Sequence, residues 1–205
     1  MPPLRPVSTV PLALALAIAG GCTQSDDADT TAAADESSGA ADSSSGDAST
    51  GDLDAMYDCV DPMFTTLGPL VGPGYDEAMG GLLEPKVESY LISTTIALPY
   101  PEKVEDFLEV STGVQTAIQA SEVVAWQLAF EPTCGFFRTM TVWRDPGDMV
   151  AFVGTPAHAE AIARSNELVL TGKVTHWPLP ADQFPPTWDM ARAELVDVSP
   201  FGGGY

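Results

Sequence analysis

Between residues 86 and 195 the apolar positions switch repeatedly between the two-residue period of strands and the longer period of helices. Residues 88–98 (ESYLISTTIAL) are β-branched and aliphatic and read as a first strand, ended by Pro99 and Pro101. Pro101 suits the first turn of a helix, and Val104, Phe107, Leu108, Val114 and Ile118 then recur at helical spacing, with Gly113 as a weak point. Residues 123–130 and 134–143 read as second and third strands, joined as a hairpin through Glu131, Pro132 and Thr133. Asp145 and Pro146 open a second helix as N-cap and first helical residue. Asp148 follows where the helix dipole favours a negative charge. Met149, Phe152 and Val153 make its apolar stripe. Gly154, Thr155 and Pro156 break and restart it, with Thr155 as the new cap; Ala159, Ile162 and Ala163 are expected to continue the buried face. Residues 168–177 read as the fourth strand and residues 186–195 as a short closing helix.

The resulting order, βαββαβ, predicts an α+β ferredoxin-like domain over residues 86–195, with two helices on one face of an antiparallel sheet. The third strand carries Phe136, Arg138, Met140 and Val142 on one side and Phe137, Thr139, Thr141 and Trp143 on the other. Neither side reads as solvent-facing. A second apolar face needs a cover, and the simplest cover is a second copy of the chain, so a homodimer is expected. Residues 56–85, rich in Gly and Pro, read as an irregular wrap with a helical turn near Asp76, and residues 196–205 as a flexible tail.

Upstream of the domain the pattern changes. Residues 1–22 (MPPLRPVSTVPLALALAIAGGC) place Arg5 before a short apolar run, too short for a transmembrane helix, which ends in Ala19, Gly20 and Gly21 before Cys22. This resembles a bacterial lipoprotein signal, which implies lipidation of Cys22. It also implies a domain tethered to the cell envelope, and the absence of an aspartate after Cys22 points to the outer membrane, with the domain facing the periplasm or the exterior. Residues 23–55 are Ser-, Ala- and Asp-rich, without an aromatic residue before Met56, and read as a disordered acidic tether.

Charge narrows the partners. With 29 acidic residues against 8 Lys and Arg, the formal charge is -21, and residues 55–205 alone carry 20 acids against 7 bases. Such a polyanion repels nucleic acid and anionic headgroups, so neither is expected as a partner, and the lipid anchor is the expected membrane contact. Cys59 and Cys134 are the thiols that remain after Cys22; in an exported protein two such cysteines are expected to pair, and neither a CxxC motif nor closely spaced histidines favour zinc.

Residues 141–168 (TVWRDPGDMVAFVGTPAHAEAIARSNEL), followed by residues 173–191 (KVTHWPLPADQFPPTWDMA), resemble the dimeric α/β-barrel superfamily, including antibiotic biosynthesis monooxygenases and a group related to spheroidene monooxygenase. The matching features are Trp143 closing the third strand, the D-x-x-x-M-x-x-F helix, the P-A-H-A-E-A run, and a fourth strand ending in His176 and Trp177. The resemblance implies a barrel dimer around a small organic ligand. It does not extend to the haem-degrading branch: Phe152 and Ala161 stand where that branch has Trp and His, and Ser93, Thr94 and Thr95 offer no match to its asparagine.

Three candidate ligand contacts and one candidate base follow. His158, in the first turn after Pro156, is disfavoured as imidazolium by the helix dipole, which suits a base or a haem ligand; a histidine bonded to nearby backbone is the plainer alternative. Arg138 needs an anion, either Glu131 or Glu122 or a substrate carboxylate or enolate. Trp143 and Phe152 are the aromatic candidates, with core filling as the competing role. The expected function is therefore an exported lipoprotein binding a small organic molecule, as a cofactor-independent oxygenase, or as a non-catalytic envelope module; haem binding through His158 is a third option.

Overall fold

The computed structural model describes residues 50–79, 81–83 and 87–204. The expected signal, Cys22 and all but the end of the tether lie outside the described residues. In chain order the elements are α1 (Thr50–Met56), β1 (Thr65–Thr66), β2 (Tyr75–Asp76), β3 (Gly81–Leu82), β4 (Ser89–Pro99), α2 (Val104–Gln119), β5 (Ala125–Phe130) and β6 (Phe137–Trp143). They continue with α3 (Pro146–Val153), α4 (Pro156–Ala163), α5 (Ser165–Leu168), β7 (Val169–Pro180) and α6 (Trp188–Glu194). None of the described helices is long and apolar enough to cross a membrane.

The main sheet is antiparallel throughout, in the order β1-β5-β6-β4-β7. Without the two-residue β1, this is the ferredoxin-like arrangement that the βαββαβ order predicts. The second helix begins as expected: Asp145 accepts a hydrogen bond from the Gly147 amide at 2.6 Å, and Pro146 occupies the first turn. Thr155 stands at the next cap position, but its hydroxyl donates back to the Phe152 carbonyl instead of capping α4.

Helices α2 to α4 cover one face. Val114, Ala117 and Ile118 of α2 meet Met149, Phe152 and Val153 of α3 over Leu91, Trp126 and Trp143 of the sheet. Phe107 and Val110 close the other end over Ala97, Leu168 and Val169. Gly113, the weak point of α2, faces Ala157 of α4 across ordinary contact distance. The stripe expected on α4 is misplaced, since Ala159, Ile162 and Ala163 are exposed. The broken helix restarts turned, and Ala157, His158 and Ala161 lie on its covered side.

The opposite face is covered by the chain itself. Tyr90, Ile92, Met140 and Val142 are at most 1% exposed within a single chain. They are packed under Phe64, Leu70, Tyr75 and Leu82 from the N-terminal wrap and Phe184, Trp188 and Ala191 from the C-terminal segment. Bare sheet therefore no longer argues for a second copy. The wrap also lines the β5 edge through hydrogen bonds between Leu67 and Leu128, Val71 and Trp126, and Gly74 and Val124. Gly72 runs so close that a Cβ there would meet the Val124 carbonyl oxygen at 2.3 Å. At the other edge, residues 201–204 are not a free tail. Phe201 exchanges two backbone hydrogen bonds with Gly172, and the Gly203 and Gly204 amides donate to Val169 and Leu170. Unpaired strand edges attract hydrogen-bonding partners, and Phe201, Gly203 and Gly204 occupy the start of that edge, at Val169, Leu170 and Gly172, within the chain.

Candidate functional site

On the face away from α2 to α4, strand register sets Arg138 of β6, Ile96 of β4 and Lys173 of β7 in one row, each the Cα partner of the next. This row floors an open cleft of ≈ 1010 Å³. Tyr57, Phe64 and Asp61 of the wrap form one wall, and Arg192 of α6 with residues 195–200 forms the other.

Glu131, 1% exposed, is the anion at the base. Arg138 Nε and Nη2 donate to its two oxygens at 2.9 and 3.3 Å, and Arg192 Nη2 adds a third bond at 3.3 Å. Glu122, the other anion considered for Arg138, is exposed. Burial lowers the Arg138 pKa and the Glu131 carboxylate opposes this, while the neighbouring Arg192 charge lowers it further. Lys173 donates to the carbonyls of Leu195 and Val196, at 3.2 Å each, and so satisfies the C-terminal end of α6. Its ammonium lies 4.4 Å from the centre of the Tyr57 ring, and the Arg192 guanidinium 4.5 Å from that of Phe64.

The wall is fastened in two ways. Cys59 and Cys134 form the disulfide expected of them. Two residues on, Asp61 accepts hydrogen bonds from the amides of Thr133 at 2.6 Å, Met63 at 2.7 Å and Cys134 at 3.1 Å. Burial pushes the Asp61 carboxyl up, but these amides outweigh it and hold it below the ordinary carboxylate value.

The other predicted site residues lie on the helix-covered face. Trp143 is fully buried, stacked on Phe152 with ring centres 5.3 Å apart, and its indole N–H donates to Thr141 at 2.8 Å. His158 meets the Phe152 ring edge-on at 4.8 Å. Its Nδ1 is shut from solvent without a hydrogen-bond partner, so the backbone bond offered as the plainer role is absent at that nitrogen. Burial lowers its pKa, which keeps the ring neutral. His176 is exposed, with Nδ1 3.0 Å from the Ser93 hydroxyl. Arg138 thus stands apart from Trp143, Phe152 and His158, and the four do not converge on one centre. Arg192 and Lys173 are the cleft residues that the sequence reading missed. Arg192 falls in a short helix with little periodicity, and the pairing of Lys173 with Ile96 depends on register.

No protein-family model matches the chain, and no curated relative does. Among solved structures, Rv0793 from Mycobacterium tuberculosis aligns over 43% of this chain and 92% of its own, at 13% identity and a TM-score of 0.39. An antibiotic biosynthesis monooxygenase aligns over 42% of this chain and 95% of its own, at 18% identity and a TM-score of 0.39. PA3566 from Pseudomonas aeruginosa aligns over 45% and 96%, at 17% identity and a TM-score of 0.39. The fold assignment stands on this chain's own strand order, and no activity carries over from these proteins.

Proposed function

We propose that the protein is an exported lipoprotein, anchored through Cys22 to the cell envelope and in particular to the outer membrane. Its folded domain is a small-molecule-binding module that works as a single copy. The observation that carries the binding role is the open cleft floored by the buried Arg138, on the face that a second copy would otherwise cover. Export is supported by the short apolar run before Cys22 and by the Cys59–Cys134 disulfide, which needs an oxidising compartment.

Nile red, a neutral apolar dye, tests the cleft. Its fluorescence should rise with the protein and fall on addition of the double variant Val60→Lys, Val196→Lys in place of the native chain. Val60 and Val196 line the cleft and are 88% and 68% exposed, so the fold should tolerate both changes. Equal dye response from the double variant would sink the reading. Cys22→Ser should release the protein from membranes, and retention there would sink the anchor.

A second reading, cofactor-independent oxygenation, is favoured by the neutral His158 imidazole, the form a base needs to take a proton from an activated carbon. Dioxygen uptake with an acidic phenol, lost in His158→Ala at unchanged stability, would favour it over simple binding.

A further inference from the structure

Arg138 gives only one edge of its guanidinium to Glu131. Nε and Nη2 donate there, while Nη1 makes no hydrogen bond among the described residues and, unlike Nδ1 of His158, is not shut from solvent. Arg192 shares the same carboxylate and also donates to the exposed Asp189 at 3.4 Å, and Lys173 adds a third cation in the same row. Glu131 supplies the anion for one edge of the fork; the other edge belongs to the cleft lining, and a guanidinium edge matches a carboxylate.

The surroundings are apolar: Ile96 on the floor, Tyr57 and Phe64 on the wall, and the exposed Val60 and Val196 at the mouth. Asp54, Asp58 and Asp197 also line the cleft as exposed residues, whose field water and salt weaken but which still disfavour additional negative charge. Asp61 is committed to the amides of the β5–β6 turn.

We infer that the cleft takes a small organic acid with a single carboxylate, held by Nη1 of Arg138 beside Arg192, with its apolar chain along Ile96 between Tyr57 and Phe64. This rests on the reading of the cleft as the ligand site and names the ligand class.

Calorimetric titration of the purified protein with hexanoate, hexanamide and succinate tests it. Hexanoate should bind about tenfold or more tightly than its uncharged amide, the scale of one charge-assisted hydrogen bond. Succinate, shorter and doubly charged, should bind more weakly than hexanoate. Arg192→Ala should weaken hexanoate severalfold and weaken hexanamide less. Equal affinity for acid and amide overturns the inference, as does tighter binding of succinate. The acid–amide comparison uses the native chain, so it decides even if the variant fails to fold. If Nile red enters the cleft and the acid is not preferred, the acid inference alone fails. If neither dye nor acid binds, the ligand-site reading fails with it.

Discussion

Arg138 and Glu131 grip each other across the turn between β5 and β6, seven residues apart in the chain, through two hydrogen bonds with both groups nearly out of solvent. Breaking such a pair from one side leaves a buried charge without its partner. Glu131→Ala should therefore cost about 3–5 kcal/mol in urea unfolding, whereas the double change Glu131→Leu, Arg138→Met should recover most of the loss. A double variant as unstable as the single one would mean that the pair holds the turn in a way that apolar packing cannot replace.

Local chemistry was legible in the sequence and register was not. Asp145 and Pro146 announce the start of α3 because cap and first-turn proline act within a few residues. The alternation around Arg138 correctly separates it from Trp143, since opposite faces follow from a period of two. What covers the second face depends on contacts between Phe64 or Trp188 and strands far away in the chain, and no local pattern encodes those. The same holds for Phe201, which pairs with Gly172 through a segment that composition alone marks as loose. On α4, a restart after Gly154 turned the helix by an amount that spacing could not supply, so Ile162 emerged exposed and His158 covered.

Asp61 should make the wrap acid-sensitive. Its folded pKa lies below the ordinary carboxylate value, so its contribution is present above that value and is lost as pH falls through the lowered one. Hydrogen exchange of the Thr133 and Cys134 amides should quicken on acidification, and Asp61→Asn should exchange faster already at neutral pH with little further acid response. An unchanged exchange rate in Asp61→Asn would show that the disulfide alone holds this wall.

Two glycines should respond in opposite directions. At Gly113 an added Cβ meets Ala157 at 3.7 Å, so Gly113→Ala fits and should stabilise the domain by about 0.5–1 kcal/mol through helix propensity. At Gly72 the added Cβ would meet backbone at 2.3 Å, so Gly72→Ala should push the wrap off β5 and lower the unfolding midpoint. Thermal melts of the two variants side by side check both.

Self-coverage of the sheet predicts a mass. With Ile92 and Val142 fully buried within one chain, light scattering on the Cys22→Ser protein at micromolar concentration should give the mass of one chain. Twice that mass would show that a different surface pairs, since the sheet face is already occupied by Phe64 and Trp188.

The pH response of His158 separates a packed neutral ring from an exposed one. Burial lowers its folded pKa below the ordinary value of 6.5, and the unfolded chain therefore binds the proton more readily than the folded one. Stability linked to this residue is full above pH 6.5 and is lost as pH falls from there through the lowered folded value. His158→Phe keeps an aromatic ring against Phe152, removes the unpartnered Nδ1 and cannot titrate. Its urea midpoint should therefore change less between pH 7 and pH 5 than that of the native chain, by measurements at matched salt. Parallel curves for the two proteins would show that the imidazole reaches water in the folded state, and the argument for a neutral base at this position would go with it.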